Sequence, residues 1–499
     1  MTTTSPAVDS AMPRFLDGRP KQLFIDGDWT PAASGQTFQS ENPSTGEVLA
    51  ELAEGDHADV DRAVAAARRA FDDGPWSRFT PMQRQRVMLK LADLIDENIA
   101  EFGLLDSMEM GAPVGLGDFG SPPSDTMRYY AGWPTKLHGE TVGNSISESM
   151  FTYTLKQPVG VVAAIVPWNG PLISAMWKMG PALAAGCTMI LKPAEEAGLS
   201  PLLLGELAME AGFPPGVFNV VTGFGETAGA ALSAHPDVDK IGFTGSTVTG
   251  QAIMRAAVGN LKKLTLELGG KSPDIIFADA DLDAAVVGAG MGVFGNTGQM
   301  CIAGSRIYVE RPIYQEFIDR LAEFAGSLRV GHSLDPQTQI GPVVSRGQLE
   351  RVTGYLEIGR QEGATAVAGG ARLTEGDLAK GFFVPPTVFV DAHDDMRITT
   401  EEIFGPVAAV MPFDTLEEVV ARANRTQFGL GGGVWTRDIG KAHKVARAVR
   451  AGTIWVNTYG VVDPAIPFGG MKMSGWGKDL GMQSVEDYLT VKAVWINTA

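Results

Sequence analysis

Gly160-Val161-Val162-Ala163-Ala164-Ile165-Val166 is an unbroken apolar run, and the chain returns to a similar run four more times before Leu268. A strand without polar alternation is buried on both faces, the condition of a parallel sheet covered by helices. The segments between the runs fit that reading. Pro171 to Ala185 has helical spacing and stops at Gly186, a natural C-terminal stop. Thr188-Met189-Ile190-Leu191 is the second strand, and Pro201 to Ala211 is the second helix, ending at Gly212. Val217 to Val221 with Glu226 to Ser233, then Lys240-Ile241-Gly242-Phe243 with Val248 to Ala257, repeat the unit. Leu264-Thr265-Leu266 closes it. Such alternation predicts right-handed crossovers and one parallel sheet.

The pattern resumes after Lys271 with Ile275-Ile276-Phe277, a helix from Leu282, the strand Arg306-Ile307-Tyr308-Val309 and a helix from Tyr314. It continues to about Val456, so a second α/β domain is expected. At 499 residues the chain is too long for one core, since single cores stop growing at roughly 250–300 residues. Phe151 to Lys156 and Tyr488 to Ile496 are alternating strands outside both series. They need a partner sheet, which another subunit can supply. Met1 to Arg19 is polar, with Pro6 and Pro13, and reads as a disordered tail.

The chain has 58 acidic against 40 basic residues, a net charge of -18. That excludes a general nucleic-acid or acidic-membrane surface, which needs clustered Lys and Arg. One phosphate-bearing cofactor in a local pocket remains compatible. The sequence has no signal-peptide core and no run of about 18 apolar residues, so a cytoplasmic protein is expected. Two cysteines without CxxC spacing and six scattered histidines offer no metal site and fit a reducing compartment.

One of those cysteines, Cys301, lies in Asn296-Thr297-Gly298-Gln299-Met300-Cys301-Ile302-Ala303-Gly304-Ser305-Arg306. A thiol among glycines and polar residues after a helix is placed as an exposed nucleophile would be. Cys187, entering a buried strand, reads as packing. Gly223-Phe224-Gly225-Glu226-Thr227-Ala228-Gly229 and Gly245-Ser246-Thr247-Val248-Thr249-Gly250 follow consecutive strands. They are either tight turns or places where backbone meets a pyrophosphate at a helix N-terminus. Lys192 and Glu195 end another strand on that edge; each can reach a ribose hydroxyl or sit in a solvated loop, and Glu195 would repel a 2'-phosphate. Asn169, in Pro167-Trp168-Asn169-Gly170-Pro171, is either a helix cap or an amide donor to an oxyanion. Glu267, between leucines and next to Gly269-Gly270, is either salt-bridged or desolvated into a general base. The Gly431-Gly432-Gly433 run marks close packing or a flexible turn.

From about Leu23 onward the chain resembles the NAD(P)-dependent aldehyde dehydrogenases. The resemblance rests on PWNGP (167–171), KPAEE (192–196), FTGSTVTG (243–250), LELGGKSP (266–273), GQMCIAGSR (298–306), EEIFGPV (401–407) and PFGGMKMSG (467–475), in that order. It implies an α/β aldehyde dehydrogenase fold with a Rossmann-like cofactor-binding domain (21–138 and 160–268), a catalytic domain (269–478) and a small β oligomerisation flap (139–159 and 479–499), after the 1–20 tail. It further implies that Cys301 attacks the aldehyde, that Asn169 and the Cys301 amide hold the oxyanion, and that Glu267 activates water against the thioester. NAD, with NADP as the alternative, would be bound by Ile165, Pro167, Trp168, Lys192, Glu195, Gly225, Gly229, Phe243, Gly245, Ser246, Leu268, Glu402 and Phe404. The implied partners are a small aldehyde and further copies of the chain, a tetramer in preference to a dimer. No metal is implied.

Two departures concern the substrate. Gly170 stands where many relatives carry an aromatic residue, and Val462 where an aromatic is frequent. A wider tunnel is expected, lined by Gly170, Trp177, Val462 and Phe468. The Val462-Asp463-Pro464-Ala465 loop with PFGGMK is most similar to phenylacetaldehyde-type enzymes. Bulky aromatic or medium-chain aldehydes are the expected substrates. The alternatives are a CoA-acylating dehydrogenase, which usually lacks the Glu267 base, and a nucleotide-independent Cys esterase, which would need a histidine partner.

Overall fold

The computed structural model describes residues 12–115 and 122–499. Five parallel strands form the centre of the first sheet, in the order Lys263–Glu267, Lys240–Thr244, Val161–Val166, Thr188–Pro193, Phe218–Val220. Antiparallel strands extend both edges, Gly475–Trp476 beside Lys263–Glu267 and Leu23–Ile25 with Asp28–Thr30 beside Phe218–Val220. The strand over Val161–Val166 explains why no polar residue interrupts it. Val162, Ala164 and Val166 pack into one core with the helices Pro171–Ala185 and Leu199–Ala211. Val161, Ala163 and Ile165 pack into a second core on the opposite face, with Val60, Val64, Leu232 and Ile253. Each buried Val or Ile side chain contributes about 1.5–3 kcal/mol, so both faces hold the strand. Gly186 and Gly212 terminate the two helices at φ 98° and 97°, where a side chain would be strained.

The second sheet has seven strands, in the order Thr365–Ala368, Thr387–Val390, Val407–Phe413, Arg306–Glu310, Pro273–Ile276, Gly431–Trp435, Thr453–Val456. All pairings are parallel except the first. Among the described residues no helix is long and apolar enough to cross a membrane.

Several expectations need correction. Within the tail expected to be disordered, residues 1–11 lie outside the described residues. From Arg14 the chain is anchored: Arg14 pairs with Glu101 at 2.9 Å, and Phe15 is buried. Gly475–Trp476, assigned by sequence to the second domain, hydrogen-bonds into the first sheet. The two stray strands complete each other: Met150–Pro158 and Leu489–Asn497 pair antiparallel over their whole length. Of the two readings of Gly431–Gly433, close packing holds and the flexible turn does not: the run begins a buried strand packed against Trp455 and Tyr459.

Candidate active site

Register brings the sequence-predicted residues to one edge of the first sheet. Ile165 pairs with Lys192 on one side and Phe243 on the other, and Phe243 pairs with Leu266. One step further along, Thr244 pairs with Glu267. The strand order reverses between Val161–Val166 and Lys240–Thr244. The crevice outside such a reversal is where open α/β sheets bind ligands. Pro167 and Trp168 leave the first of these strands, and Gly245 and Ser246 leave the second.

The residues around this crevice fit a dinucleotide. Ser246 caps the helix Thr247–Ala256, its hydroxyl accepting from the Thr249 amide at 3.1 Å, and free amides at such a terminus attract phosphate. A Cβ added at Gly225 would meet nothing within 4 Å, and Gly225 is exposed, so the backbone there is open to approach; Gly229 is buried. Lys192 Nζ, buried, donates to Glu195 Oε2 at 3.2 Å. Burial pulls the Lys192 ammonium below its ordinary range, and Glu195 opposes that. Leu268 packs beneath the same helix, against Gly250.

The nucleophile loop follows the helix Leu282–Phe294, and its backbone is strained. Asn296, Thr297 and Gly298 take φ of 49°, 56° and 71° in succession, a conformation that surrounding contacts must hold. They do so. Thr297 Oγ1 donates to the Gly341 carbonyl at 3.1 Å, and Gln299 Oε1 accepts from the Val344 amide at 2.9 Å. Asn169 Nδ2 donates to the Gln299 carbonyl at 2.9 Å, and Asn296 Nδ2 returns a bond to the Asn169 carbonyl at 3.0 Å. Asn169 is therefore no helix cap; Gly170 occupies that position with no side-chain bond. One amide hydrogen of Asn169 remains beside the nucleophile loop. Cys301 itself is half-buried, where the sequence predicts exposure. Burial pushes its thiol up, and the facing carboxylates Glu267 and Glu402 push it further.

Glu267 is buried at 4% exposure, and no side chain hydrogen-bonds its carboxylate; the Gly470 amide is the one backbone donor that acts on it. Burial raises its carboxyl well above the ordinary range, Asp479 adds to the rise, and Lys178 and Lys478 oppose it. Of the two sequence readings, the structure shows the desolvated carboxylate and no salt bridge to it among the described residues. Lys178 and Asp479, absent from the sequence-predicted set, form a buried ion pair at 2.6 Å beside it. The signal was available: Lys178 is the only charged residue of the apolar helix Pro171–Ala185.

Glu402 lies in the loop that leads into the strand Val407–Phe413 of the second sheet and faces the same point. Its Oε1 accepts from the Gly270 amide at 2.9 Å, and a Cβ on Gly269 would collide with its carboxylate. Phe404, at φ 62°, meets Trp168 edge-on with centroids 5.3 Å apart. The site thus lies at the seam between the two sheets, with residues from both. Trp177, Val462 and Phe468 join Cys301, Met300 and Ile302 in one apolar cluster, and the Trp177 and Phe468 rings lie 5.1 Å apart. Gly170 lies at the start of the Trp177 helix, where a Cβ would crowd Ile173 at 2.9 Å. Among the described residues no group of three His, Cys, Asp or Glu side chains is placed to hold a metal. Cys187 is buried packing.

Comparison with known proteins agrees with the motifs. Residues 29–494 match the model of the aldehyde dehydrogenase family. Over 476 residues the chain is 48% identical to aldehyde dehydrogenase family 2 member C4 of Arabidopsis thaliana, covering 95% of this chain and 94% of that one. It is 47% identical over 479 residues to the mitochondrial aldehyde dehydrogenase of Homo sapiens, covering 95% and 92%. A solved aldehyde dehydrogenase of Bacillus cereus in complex with NAD+ superimposes with a TM-score of 0.94, at 48% identity, covering 100% of this chain and 99% of that one.

Proposed function

The chain belongs to the aldehyde dehydrogenase family, and we propose that it oxidises an aldehyde to its carboxylic acid with NAD, through a covalent thioester on Cys301. The observation that carries this reading is the convergence of Cys301, Glu267 and Glu402 at one seam, each carboxylate acting electrostatically on the thiol. When bound, NAD supplies the hydride acceptor and a cationic ring that favours the thiolate. Deprotonated Cys301 adds to the carbonyl carbon, and the oxyanion is met by the free Asn169 amide hydrogen and the Cys301 backbone N–H. Loss of hydride from that carbon leaves the thioester. Glu267, raised by burial, takes a proton from water as the water attacks, and the acid departs as the Cys301 thiolate is released. Lys192 and Glu195 bind the adenosine ribose, Ser246 the pyrophosphate and Glu402 the nicotinamide ribose. Ile165, Pro167, Trp168, Gly225, Gly229, Phe243, Gly245, Leu268 and Phe404 shape the cleft. Intact Glu267 favours water over CoA as acceptor.

The tunnel cluster of Trp177, Val462 and Phe468 supports bulky aromatic or medium-chain aldehydes. A kcat/KM panel of aldehydes of graded size, read as NADH formation, tests the whole reading. Phenylacetaldehyde and hexanal are expected to exceed acetaldehyde by about tenfold or more. Acetaldehyde as the best substrate would sink the tunnel argument, and absence of NADH with every aldehyde would sink the activity. Glu195 supports NAD over NADP, which the same panel measures with each nucleotide.

The pH dependence follows from the raised Cys301 and Glu267 groups. Both act in their deprotonated forms, and both folded-state values lie above the ordinary ones. Activity should therefore fall as pH drops through neutrality and rise on the alkaline side. A kcat/KM flat between about pH 6 and about pH 9 would contradict these assignments.

Phe151, Trp495 and Ile496 stand 47%, 58% and 42% exposed on the two-stranded sheet. Phe151 and Ile496 are paired on one face and Trp495 lies on the other; exposed apolar side chains on both faces support self-association, for which a tetramer is the reading. The unpaired cysteines support a cytoplasmic location.

A further inference from the structure

The glycines of Gly431–Gly433 leave room for two aromatic rings. A Cβ on Gly431 would come within 2.9 Å of Trp455 Cζ3, and one on Gly433 within 2.6 Å of Tyr459 Cδ2. Gly292, on the helix that leads into the nucleophile loop, and Gly304, just beyond Cys301, close on the same Tyr459 ring at 2.8 and 3.0 Å. The Trp455 and Tyr459 rings lie against each other, 5.1 Å between centroids and 35° between planes. Their polar ends go to different loops. The Tyr459 hydroxyl donates to the Ile302 carbonyl at 2.7 Å, the residue directly after Cys301. The Trp455 indole N–H donates to the Val461 carbonyl at 2.8 Å, the residue directly before Val462.

Resting on the reading of Cys301 as nucleophile, we propose that Trp455 and Tyr459 are positioning residues that brace the nucleophile loop against the aldehyde tunnel wall. Both rings belong to the apolar cluster that includes Cys301, and their polar ends go to backbone carbonyls and not to the thiol. Residues 299–305 contain no helix or strand, so the placement of Sγ depends on what holds their carbonyls and amides. Tyr459 supplies that hold, on a ring that Gly292, Gly304 and Gly433 approach closely and that its aromatic neighbour keeps from turning. Because Trp455 ties the same ring pair to Val461, a bulky aldehyde that presses on the 461–462 loop acts on the nucleophile loop as well. Tunnel occupancy and the attack geometry of Cys301 are thereby coupled, and attack rates fall steeply when reacting atoms are misplaced.

Two conservative substitutions separate the hydrogen bonds from the rings. Tyr459→Phe removes one hydroxyl and leaves its carbonyl partner unpaired. We expect kcat to fall about tenfold, with KM for NAD and Tm near wild type and alkylation of Cys301 by iodoacetamide slowed by a similar factor. Trp455→Phe removes the indole N–H and should cost more kcat/KM with phenylacetaldehyde than with acetaldehyde, by roughly fivefold. In the double variant the losses should not multiply, as residues of one network are not independent. Unchanged kcat and alkylation in Tyr459→Phe, beside an inactive Cys301→Ala, overturn the brace and leave the nucleophile standing. Strictly multiplicative losses overturn the coupling. An active Cys301→Ala would instead overturn the reading on which the brace rests.

Discussion

Cys301→Ala abolishes aldehyde-dependent NADH formation, with kcat/KM reduced by about 10⁴-fold or more, while calorimetric titration still shows NAD binding. The size of the loss follows from the absence of a substitute. Cys187, the other thiol, is fully buried against the Tyr488 carbonyl, with its own pKa pushed up to about 11 by burial. Water adding to the free aldehyde, with hydride lost from the resulting hydrate to the nicotinamide, would keep the oxyanion donors and the base but lack the covalent intermediate. Fold stability should change little, because the side chain is half-buried and removing one sulfur costs at most about 1 kcal/mol at such a site. Activity above about 1% of wild type in the variant would assign the nucleophile elsewhere.

Glu267→Gln separates the two halves of the reaction. The amide keeps the shape of the side chain but cannot take a proton from water. A burst of NADH approaching one equivalent per active site is expected, followed by a steady rate lower by about 10²–10⁴-fold. The variant should also be at least as stable as wild type. A buried carboxylate without an ion-pair partner is costly when charged, and a neutral amide removes that cost. Stopped-flow absorbance reads the burst, and thermal melts read the stability. Full steady turnover would remove Glu267 from the hydrolytic step. Loss of the burst as well would assign it to thiol deprotonation.

The raised values of Glu267 and Cys301 have a common origin. Both are taken from water at the seam between two sheets, and the Glu267 charge further opposes ionisation of Cys301. The Lys178–Asp479 pair modifies this balance from 301 residues apart in sequence, with Lys178 lowering and Asp479 raising the Glu267 carboxyl. Such a site resists ionisation of the thiol.

The sequence by itself determined the alternating strands and helices from Val161 to Glu267, because apolar periodicity and the glycine stops at 186 and 212 are local properties of the chain. It also singled out Cys301, Glu267 and Asn169, since a thiol among glycines, a carboxylate between leucines and an amide at a strand end are each unusual in their immediate surroundings. Tertiary structure decided the rest. Whether Asn169 capped a helix or reached the nucleophile loop depended on a contact 130 residues away. Whether Glu267 was paired depended on which donors its burial excluded. The pairing of residues 150–158 with 489–497 and the seating of Tyr459 among Gly292, Gly304 and Gly433 depended on register and packing between distant segments. Propensity and spacing report on a residue's neighbours in sequence. Desolvation, charge coupling and close approach are set by neighbours in space, and those exist only once both sheets have formed.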